Sequence, residues 1–126
     1  MSKPTVAIIG ASRDRRKYGN KSVRAHVAAG YDVYPVNPHA DEIEGLACYP
    51  SLSAAPADRI DRVSLYVPPS VGVILVGEIA AVHPGEVWLN PGSGSRALRE
   101  AAQRLGLNVV DGCSIVALGL SPSDFP

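Results

Sequence analysis

The stretch Thr5-Val-Ala-Ile-Ile9, followed directly by Gly10-Ala11-Ser12, decides the fold. It begins with a short apolar run rich in β-branched residues, as expected of a strand that is buried on both faces. Gly10 then allows the backbone to turn tightly into a polar loop that extends to Gly19. The stretch therefore predicts an interior strand with a polar loop at its carboxyl end.

Strand-like and helix-like runs alternate along the rest of the chain. Further strands are predicted at Tyr31–Val36, Arg62–Val67, Glu86–Leu89 and Leu107–Val110. Helices are predicted from Asn20 to Ala29, from Ser70 to Val82 and from Ser95 to Gly106, each with its first residue as N-cap, and a short one from Ser51 to Ala55. Residues 39–50 are acidic and predicted to be irregular. The alternation predicts one α/β domain over residues 1–126, a three-layer fold with an open parallel sheet of about five strands flanked by helices.

The composition excludes several classes of protein. Apolar residues make up 46% of the chain, which is enough for a core, and the 12 basic side chains equal the 12 acidic ones. Because the net charge is zero, no overall field attracts nucleic acid or a membrane surface. The longest apolar run, residues 71–82, contains Glu78 and is too short to span a bilayer. We expect neither nucleic acid nor membrane as a partner.

The cysteines and the first residues of the chain bear on localisation. Cys48 and Cys113 are too few for a disulfide framework and form no CxxC motif. The first residues lead into only four apolar residues before Gly10, which is not the pattern of a signal peptide. A cytoplasmic protein is the prediction.

Parallel strands bring their carboxyl ends to one edge of a sheet, and ligands bind in the crevice beyond that edge. The predicted strands place four stretches there, namely residues 10–20, 36–39, 66–70 and 90–95. The first stretch carries four cations, Arg13, Arg15, Arg16 and Lys17, offset only by Asp14. With the backbone N–H groups of the Gly10 turn and a helix N-terminus, these cations favour a ligand with more than one phosphate. The alternative is a solvated basic loop with surface ion pairs.

A dinucleotide is the obvious ligand to consider for such a sheet. Its fingerprint requires G-x-G-x-x-G and an acidic residue at the end of the second strand. Here Gly10 has no glycine after it until Gly19, and the residue that follows the second strand is Asn37 rather than an acidic residue. An NAD(P)-dependent oxidoreductase or a redox-sensing dinucleotide-binding protein is therefore kept as the alternative function.

Two more of the four stretches offer surfaces for a ligand. Residues 66–69, Tyr-Val-Pro-Pro, form a stiff apolar shelf on which a purine can lie, or they only stop a strand and start a helix. Residues 90–95, Asn-Pro-Gly-Ser-Gly-Ser, are typical of a backbone nest, or of a turn and helix cap.

Taken together, the motifs resemble the CoA-binding domain family, which is similar to the N-terminal domain of the succinyl-CoA synthetase α subunit. The resemblance covers about residues 5–115 and depends on the order and spacing of its motifs. These are Val6-Ala-Ile-Ile-Gly-Ala-Ser12, Lys17-Tyr-Gly-Asn20, Gly30-Tyr31, Val36-Asn-Pro38, Gly45, Cys48-Tyr-Pro-Ser-Leu52, Tyr66-Val-Pro-Pro69, Val87-Trp-Leu89 and Val109-Val-Asp-Gly-Cys113.

The resemblance implies a Rossmann-like domain that binds coenzyme A or an acyl-CoA. It implies that Gly10, Ala11 and Ser12 contact the pyrophosphate, that Val36, Asn37, Pro38, Tyr66, Val67, Pro68 and Pro69 contact the adenosine, and that the pantetheine arm extends towards Asn90, Pro91 and Gly92. The 3′-phosphate is assigned to Lys17 or to its neighbours Arg15 and Arg16, and His39 is placed at the ribose or phosphate.

The sequence offers little for catalysis, so no catalytic or metal-binding residue is predicted. His26 is expected to be packed on the first helix, and the acidic residues 41–44 have no second ligand cluster for a metal. Cys113 is expected to be an inert thiol. The helix at 70–82 is apolar on more than one face, which favours a homodimer. The predicted function is that of a small binding or regulatory protein.

Overall fold

The computed structural model describes residues 3–126. The strands in this range are β1 Thr5–Ile9, β2 Asp32–Val36, β3 Glu42–Ile43, β4 Leu46–Ala47, β5 Arg62–Leu65, β6 Glu86–Leu89 and β7 Val109–Asp111. The helices are α1 Tyr18–Ala28, α2 Pro69–Ala81 and α3 Arg96–Arg104, with single 3₁₀ turns at Leu52–Ala54, Val116–Leu118 and Pro122–Asp124. No helix within residues 3–126 combines the length and apolar character needed to cross a membrane.

Five of the strands form one parallel sheet in the order β2-β1-β5-β6-β7. From β1 the chain first goes outward to β2, then crosses over and continues through β5, β6 and β7. The strand order therefore reverses between β1 and β5, which is where open α/β sheets bind ligands. Ile9 at the end of β1 lies between Val36 of β2 and Leu65 of β5. The predicted α/β fold and its parallel sheet are confirmed.

Successive residues of the strands point to opposite faces of the sheet and build two cores. On one face, Ile8 of β1 belongs to the same buried cluster as Val23 of α1. On the other face, Ile9 belongs to a larger cluster with Ile79 of α2 and Leu98 of α3. One helix therefore covers one face and two helices cover the other, which gives the predicted three layers.

The start of α1 differs from the prediction. The helix begins at Tyr18 with Lys17 as its N-cap residue, whereas Asn20 was the expected cap. Asn20 is instead fully buried, and its amide donates to the Ser12 carbonyl at 2.9 Å and to the Glu44 carboxylate at 3.1 Å. Its side chain joins the loop to the helix rather than capping the helix.

The start of α2 was also predicted wrongly, whereas that of α3 was predicted correctly. α2 begins at Pro69 with Pro68 as N-cap, two residues before the expected cap Ser70. Pro69 suits the first helical position because its φ matches the helix and it lacks the N–H that would have no partner there. The Ser95 hydroxyl caps α3 as predicted, since it accepts a hydrogen bond from the Leu98 N–H at 3.1 Å.

Three predictions of strand and loop bounds need correction. The last predicted strand, Leu107–Val110, is observed at Val109–Asp111. Residues 39–50 are not wholly irregular, because β3 and β4 form a short antiparallel hairpin. Its turn residues Glu44 and Gly45 both have positive φ, 51° and 77°, as tight hairpins require. Glutamate is not a residue type typical of such a turn, so the sequence did not indicate the hairpin. The third predicted strand, Arg62–Val67, ends two residues early at Leu65.

His26 is packed inside the protein, as predicted. Its Nδ1 lies 2.8 Å from the Ser22 carbonyl oxygen, and its Nε2 lies 3.3 Å from Nη1 of Arg62. Nε of the same arginine donates to the Glu86 carboxylate at 2.6 Å. Because arginine only donates, Nε2 accepts and the proton resides on Nδ1. Burial is the main cause that lowers the pKa of His26 to about 4.

A methyl group at Gly19 is expected to destabilise the fold. A Cβ there would overlap the Gly10 carbonyl oxygen, whereas a Cβ at Gly77 of α2 would meet no atom within 4 Å. Gly19→Ala should lower the free energy of unfolding by about 1–3 kcal/mol, and Gly77→Ala should raise it by about 0.5–1 kcal/mol. Urea denaturation measures both. Equal effects of the two substitutions would contradict the close approach at Gly19.

Stability is expected to fall with acidification because of His26. A histidine in the unfolded chain has a pKa near 6.5, so the unfolded state binds the proton more readily than the folded state. The contribution of His26 is fully present above pH 6.5 and is lost as the pH falls towards 4, with about 2 kcal/mol lost between pH 7 and pH 5. Denaturation at both pH values should show a smaller loss in His26→Gln, while the exposed control His39→Gln should keep the wild-type loss.

Candidate functional site

A cleft opens at the carboxyl edge of the sheet, at the switch point between β1 and β5. Its larger lobe has a volume of about 690 Å³, which is within the range of small-molecule sites. The four stretches predicted to meet at this edge, 10–20, 36–39, 66–70 and 90–95, all contribute to its wall. A cleft therefore lies at the edge of the sheet where the sequence predicts a ligand site.

A smaller lobe of about 330 Å³ adjoins the first one. The two lobes share Gly10, Asn37 and Val67 in their walls, so they lie side by side at these residues. The smaller lobe lies between the end of β2, residues 50–52 and one side of α2, and its wall is mainly apolar. Among the described residues that line it, Glu78 is the only charged one.

Two glycines let the backbone segments at the cleft come close together. Gly10 has a φ of +89°, and a Cβ on it would lie 2.6 Å from the Tyr66 carbonyl oxygen. Gly19, in the first turn of α1, lies against the Gly10 carbonyl. The sequence pattern showed only one glycine of the dinucleotide fingerprint, but Gly19 supplies the close helix packing that a later glycine of that fingerprint provides.

The N-terminus of α1 faces this loop. Lys17, the N-cap residue, makes no side-chain cap bond, so the helix does not use a side chain to cover its first N–H groups. Ser12 turns the loop by accepting a hydrogen bond from the Asp14 N–H at 3.0 Å. Free N–H groups and the positive end of the helix dipole together favour an anion at this point.

Acidic groups neutralise two of the four cations of the basic loop, residues 13–17. Arg15 pairs with Glu44 of the β3–β4 turn at 2.7 Å, and Arg16 pairs with Asp14 at 3.0 Å. Hydrogen bonds from Arg16 lower the pKa of Asp14 to about 2, and the same contact raises the pKa of Arg16. Lys17 is the one cation of the loop that lines the larger lobe.

Asn37, at the end of β2, holds two loops together. Its amide donates to the Ala11 carbonyl at 2.7 Å, and its side-chain oxygen accepts from the His39 N–H at 2.7 Å. The side chain of Asn37 therefore supports the wall that both lobes share. His39 is exposed and lines neither lobe.

A buried polar network fixes the opposite wall. The Asn90 amide donates to the Ser64 hydroxyl and to the Leu65 carbonyl, both at 2.8 Å, and its oxygen accepts from the Ser114 N–H at 2.9 Å. The Tyr66 hydroxyl lies 3.0 Å from the Ser114 hydroxyl, and burial raises the pKa of Tyr66. Because Asn90 is buried and its side chain is fully bonded, it holds the wall in place rather than offering free hydrogen-bonding groups.

The structure brings most of the predicted site residues together. Those that line the larger lobe are Gly10, Ala11, Ser12, Lys17, Asn37, Tyr66, Val67, Pro68, Asn90, Pro91 and Gly92. Val36 and Pro38 line the smaller lobe. Four predicted residues line neither lobe, namely Arg15, Arg16, His39 and Pro69.

Sequence reasoning missed several wall residues. The smaller lobe is also lined by three residues of α2, namely Val71, Leu75 and Glu78. Their spacing of four and three residues puts them on one face of the helix, and this spacing was a signal that could have placed them at the lobe. Leu52 follows them in the same wall. Pro122 closes one side of the larger lobe, and it comes from a C-terminal segment whose sequence carries no clear structural pattern.

The remaining reactive groups are few. Cys113 lines the larger lobe as a free thiol, whereas Cys48 is buried and burial raises its pKa. Within residues 3–126 no three His, Cys, Asp or Glu side chains come together in a way that could hold a metal ion.

Comparison with known sequences relates the chain to proteins that act on coenzyme A. The family described as "CoA binding domain" matches residues 4–119. The chain is 40% identical over 78 residues to acetate–CoA ligase (ADP-forming) II of Archaeoglobus fulgidus, which covers 60% of this chain and 11% of that protein. It is 31% identical over 115 residues to acetate–CoA ligase (ADP-forming) I of the same organism, which covers 83% of this chain and 17% of that protein. The chain thus spans less than a fifth of these relatives.

Solved structures agree in fold. A conserved hypothetical protein from Pyrococcus furiosus superposes with a TM-score of 0.80 and 32% identity, over 92% of this chain and 99% of that one. The dinucleotide-forming acetyl-coenzyme A synthetase 1 of Ca. Korarchaeum cryptofilum, solved with phosphate and ADP, superposes with a TM-score of 0.73 and 28% identity, over 84% of this chain and 25% of that one. The resemblance seen in the sequence is confirmed, and the chain belongs to the CoA-binding domain family.

Proposed function

We propose that this protein binds coenzyme A or an acyl-CoA in the two-lobed cleft and acts as a small binding or regulatory protein without catalysis of its own. The observation that carries the proposal is that two lobes of different character adjoin at Gly10. An apolar lobe lies on one side of this glycine, and a larger lobe with Lys17 and a helix N-terminus lies on the other. A ligand with an apolar base, phosphates and a long arm matches this sequence of surfaces.

The proposed position of the ligand follows the chemistry of the walls. The adenine lies in the smaller lobe against Val36, Pro38 and Val67. The pyrophosphate lies at residues 10–12, beside the N-terminus of α1, where N–H groups and the helix dipole favour an anion. The pantetheine arm extends through the larger lobe towards residues 91–92.

We assign the 3′-phosphate to Lys17 first, with Arg15 and Arg16 as its neighbours. Lys17 lines the larger lobe, so its ammonium group reaches the ligand without breaking an ion pair within the described chain. Arg15 and Arg16 are bound to Glu44 and Asp14, and must exchange these carboxylates for a phosphate. Both arginine side chains are largely exposed, and exposed ion pairs contribute little to stability, so this exchange costs little.

Binding rather than catalysis is proposed because the titratable groups of the cleft are not arranged as an acid–base or nucleophile–base pair. The Tyr66 hydroxyl is bonded to Ser114, and burial raises the pKa of Tyr66, which opposes ionisation. His26 of α1 is buried, with both ring nitrogens hydrogen-bonded. The ligase activity of the curated relatives belongs to proteins of which this chain spans 11% and 17%.

The location and assembly of the protein are proposed as well. Two free cysteines suit a reducing compartment, which supports a cytoplasmic location. Val71, Val73 and Ile74 leave apolar surface on α2, and the Ile74 side chain is 80% exposed. A second copy of the chain that covers this face of α2 would remove this surface from water.

Titration calorimetry with CoA, dephospho-CoA and NAD tests the proposed ligand. The wild-type protein, freed of carried-over ligand, should bind CoA more tightly than the other two. Lys17→Ala should weaken CoA binding about tenfold or more, because a charge-assisted contact contributes on the order of 1.5–3 kcal/mol. The same substitution should weaken dephospho-CoA binding less, since that ligand lacks the 3′-phosphate.

Two controls make this test specific. Lys3→Ala removes the same charge before the amino end of β1, at the opposite end of the strand from the cleft, and should leave the affinity for CoA unchanged. Alanine at Arg15, Arg16 and Lys17 together should again weaken CoA more than dephospho-CoA. Equal losses for the two ligands would contradict the 3′-phosphate assignment. A preference for NAD would favour the oxidoreductase or redox-sensing alternative, and no binding of any ligand would favour a structural role.

Light scattering tests the proposed homodimer. At high micromolar concentration the wild-type protein should have the mass of a dimer, and Ile74→Glu should shift it to the mass of a monomer by placing a charge in the apolar contact. Val116→Glu, at another exposed apolar residue, should leave the dimer intact. A wild-type monomer at this concentration would refute the proposal.

A further inference from the structure

The smaller lobe ends at a carboxylate. Val71, Leu75 and Glu78 lie on one face of α2 and line this lobe in turn. Glu78 is seven residues beyond Val71, about 10 Å further along the helix, and it does not line the larger lobe. A base that enters from the shared edge at Gly10 therefore meets apolar side chains first and Glu78 last.

One oxygen of this carboxylate is already engaged. Glu78 Oε1 accepts a hydrogen bond from the Ser53 N–H at 3.1 Å, in the 3₁₀ turn that also contributes Leu52 to the lobe. A carboxylate accepts through both of its oxygens and donates through neither when ionised. The second oxygen is an acceptor on the one charged side chain of a mainly apolar wall, so a ligand that brings a donor to this end of the lobe is favoured.

We propose that Glu78 selects the base of the bound ligand by accepting a hydrogen bond from an exocyclic amine, so that a 6-aminopurine binds in preference to a 6-oxopurine. This inference rests on the proposed function, which places the base in the smaller lobe. A 6-oxopurine carries a carbonyl oxygen where adenine carries its amine, so lone pairs would face the carboxylate. The selection comes from repulsion of one base as well as attraction of the other.

A purely structural role for Glu78 is to hold the 3₁₀ turn through Ser53, and Glu78→Gln separates the two roles. The side-chain amide has the shape of the carboxylate, and its oxygen can accept from the Ser53 N–H. Its NH₂ group then takes the place of the second oxygen and presents donors to the lobe. The substitution keeps the turn and converts the acceptor that faces the ligand into a donor.

Calorimetric titration of the full chain with CoA and with its hypoxanthine counterpart, desamino-CoA, tests the proposal. The wild-type protein should bind CoA about tenfold more tightly than desamino-CoA. Glu78→Gln should abolish or reverse this ratio, because its NH₂ group can donate to the 6-oxo oxygen. Glu100→Gln removes an exposed carboxylate on α3, outside both lobes, and should keep the wild-type ratio.

The outcomes distinguish this inference from the proposed function. Equal wild-type affinities for the two ligands, or an unchanged ratio in Glu78→Gln, would overturn the role of Glu78 and leave CoA binding established. Failure of the wild-type protein to bind either ligand would overturn the proposed function, and this inference with it. Thermal melting of each variant shows that it is folded, and equal wild-type affinities overturn the role of Glu78 even if Glu78→Gln does not fold.

Discussion

The close approach of three backbone segments around Gly10 is the constraint on which the rest of the structure depends. A Cβ on Gly10 would press on the Tyr66 carbonyl, and a Cβ on Gly19 would overlap the Gly10 carbonyl. The ends of β1 and β5 and the start of α1 can therefore meet at one point. This meeting point directs the N-terminus of α1 at the loop after β1 and makes Gly10 part of both lobes. Packing without side chains thus creates both the switch-point crevice and its electrostatics.

The short hairpin β3–β4 determines how the charge of the loop is expressed. Glu44 binds both Arg15 and the buried amide of Asn20, so the acidic segment that follows β2 lies directly on the basic segment that follows β1. In the sequence, residues 13–17 carry four cations and one acidic side chain. In the folded protein, two of these arginines are paired with nearby carboxylates. The field that a ligand meets in the cleft is therefore local, and it comes from Lys17 and the helix terminus.

The sequence was sufficient to predict the layers of the fold and the edge that carries the cleft, because both follow from periodicity and from the geometry of parallel strands. It was not sufficient for features that depend on long-range contacts. Asparagine is a residue type that favours N-caps, but contacts with Ser12 and Glu44 place Asn20 in the interior. Arg15 and Arg16 carry the positive charge expected of side chains that bind phosphate. Their positions outside both lobes depend on carboxylates that the fold brings near them. Pro122 reaches the cleft only because Arg24 and Lys21 of α1 hold the C-terminal segment.

The two lobes offer different physical means of holding the proposed ligand, and this difference would let a chain of zero net charge bind a polyanion. At the loop after β1, N–H groups and one ammonium group stand where water still has access, so each contact is modest and is weakened by salt. In the smaller lobe, the mainly apolar wall would remove the base of the proposed ligand from water and strengthen the few polar contacts that remain. The phosphates of that ligand would then contribute orientation, and the smaller lobe would contribute discrimination. Glu78 matters to this discrimination because it is the one charged residue among the described residues that line the smaller lobe.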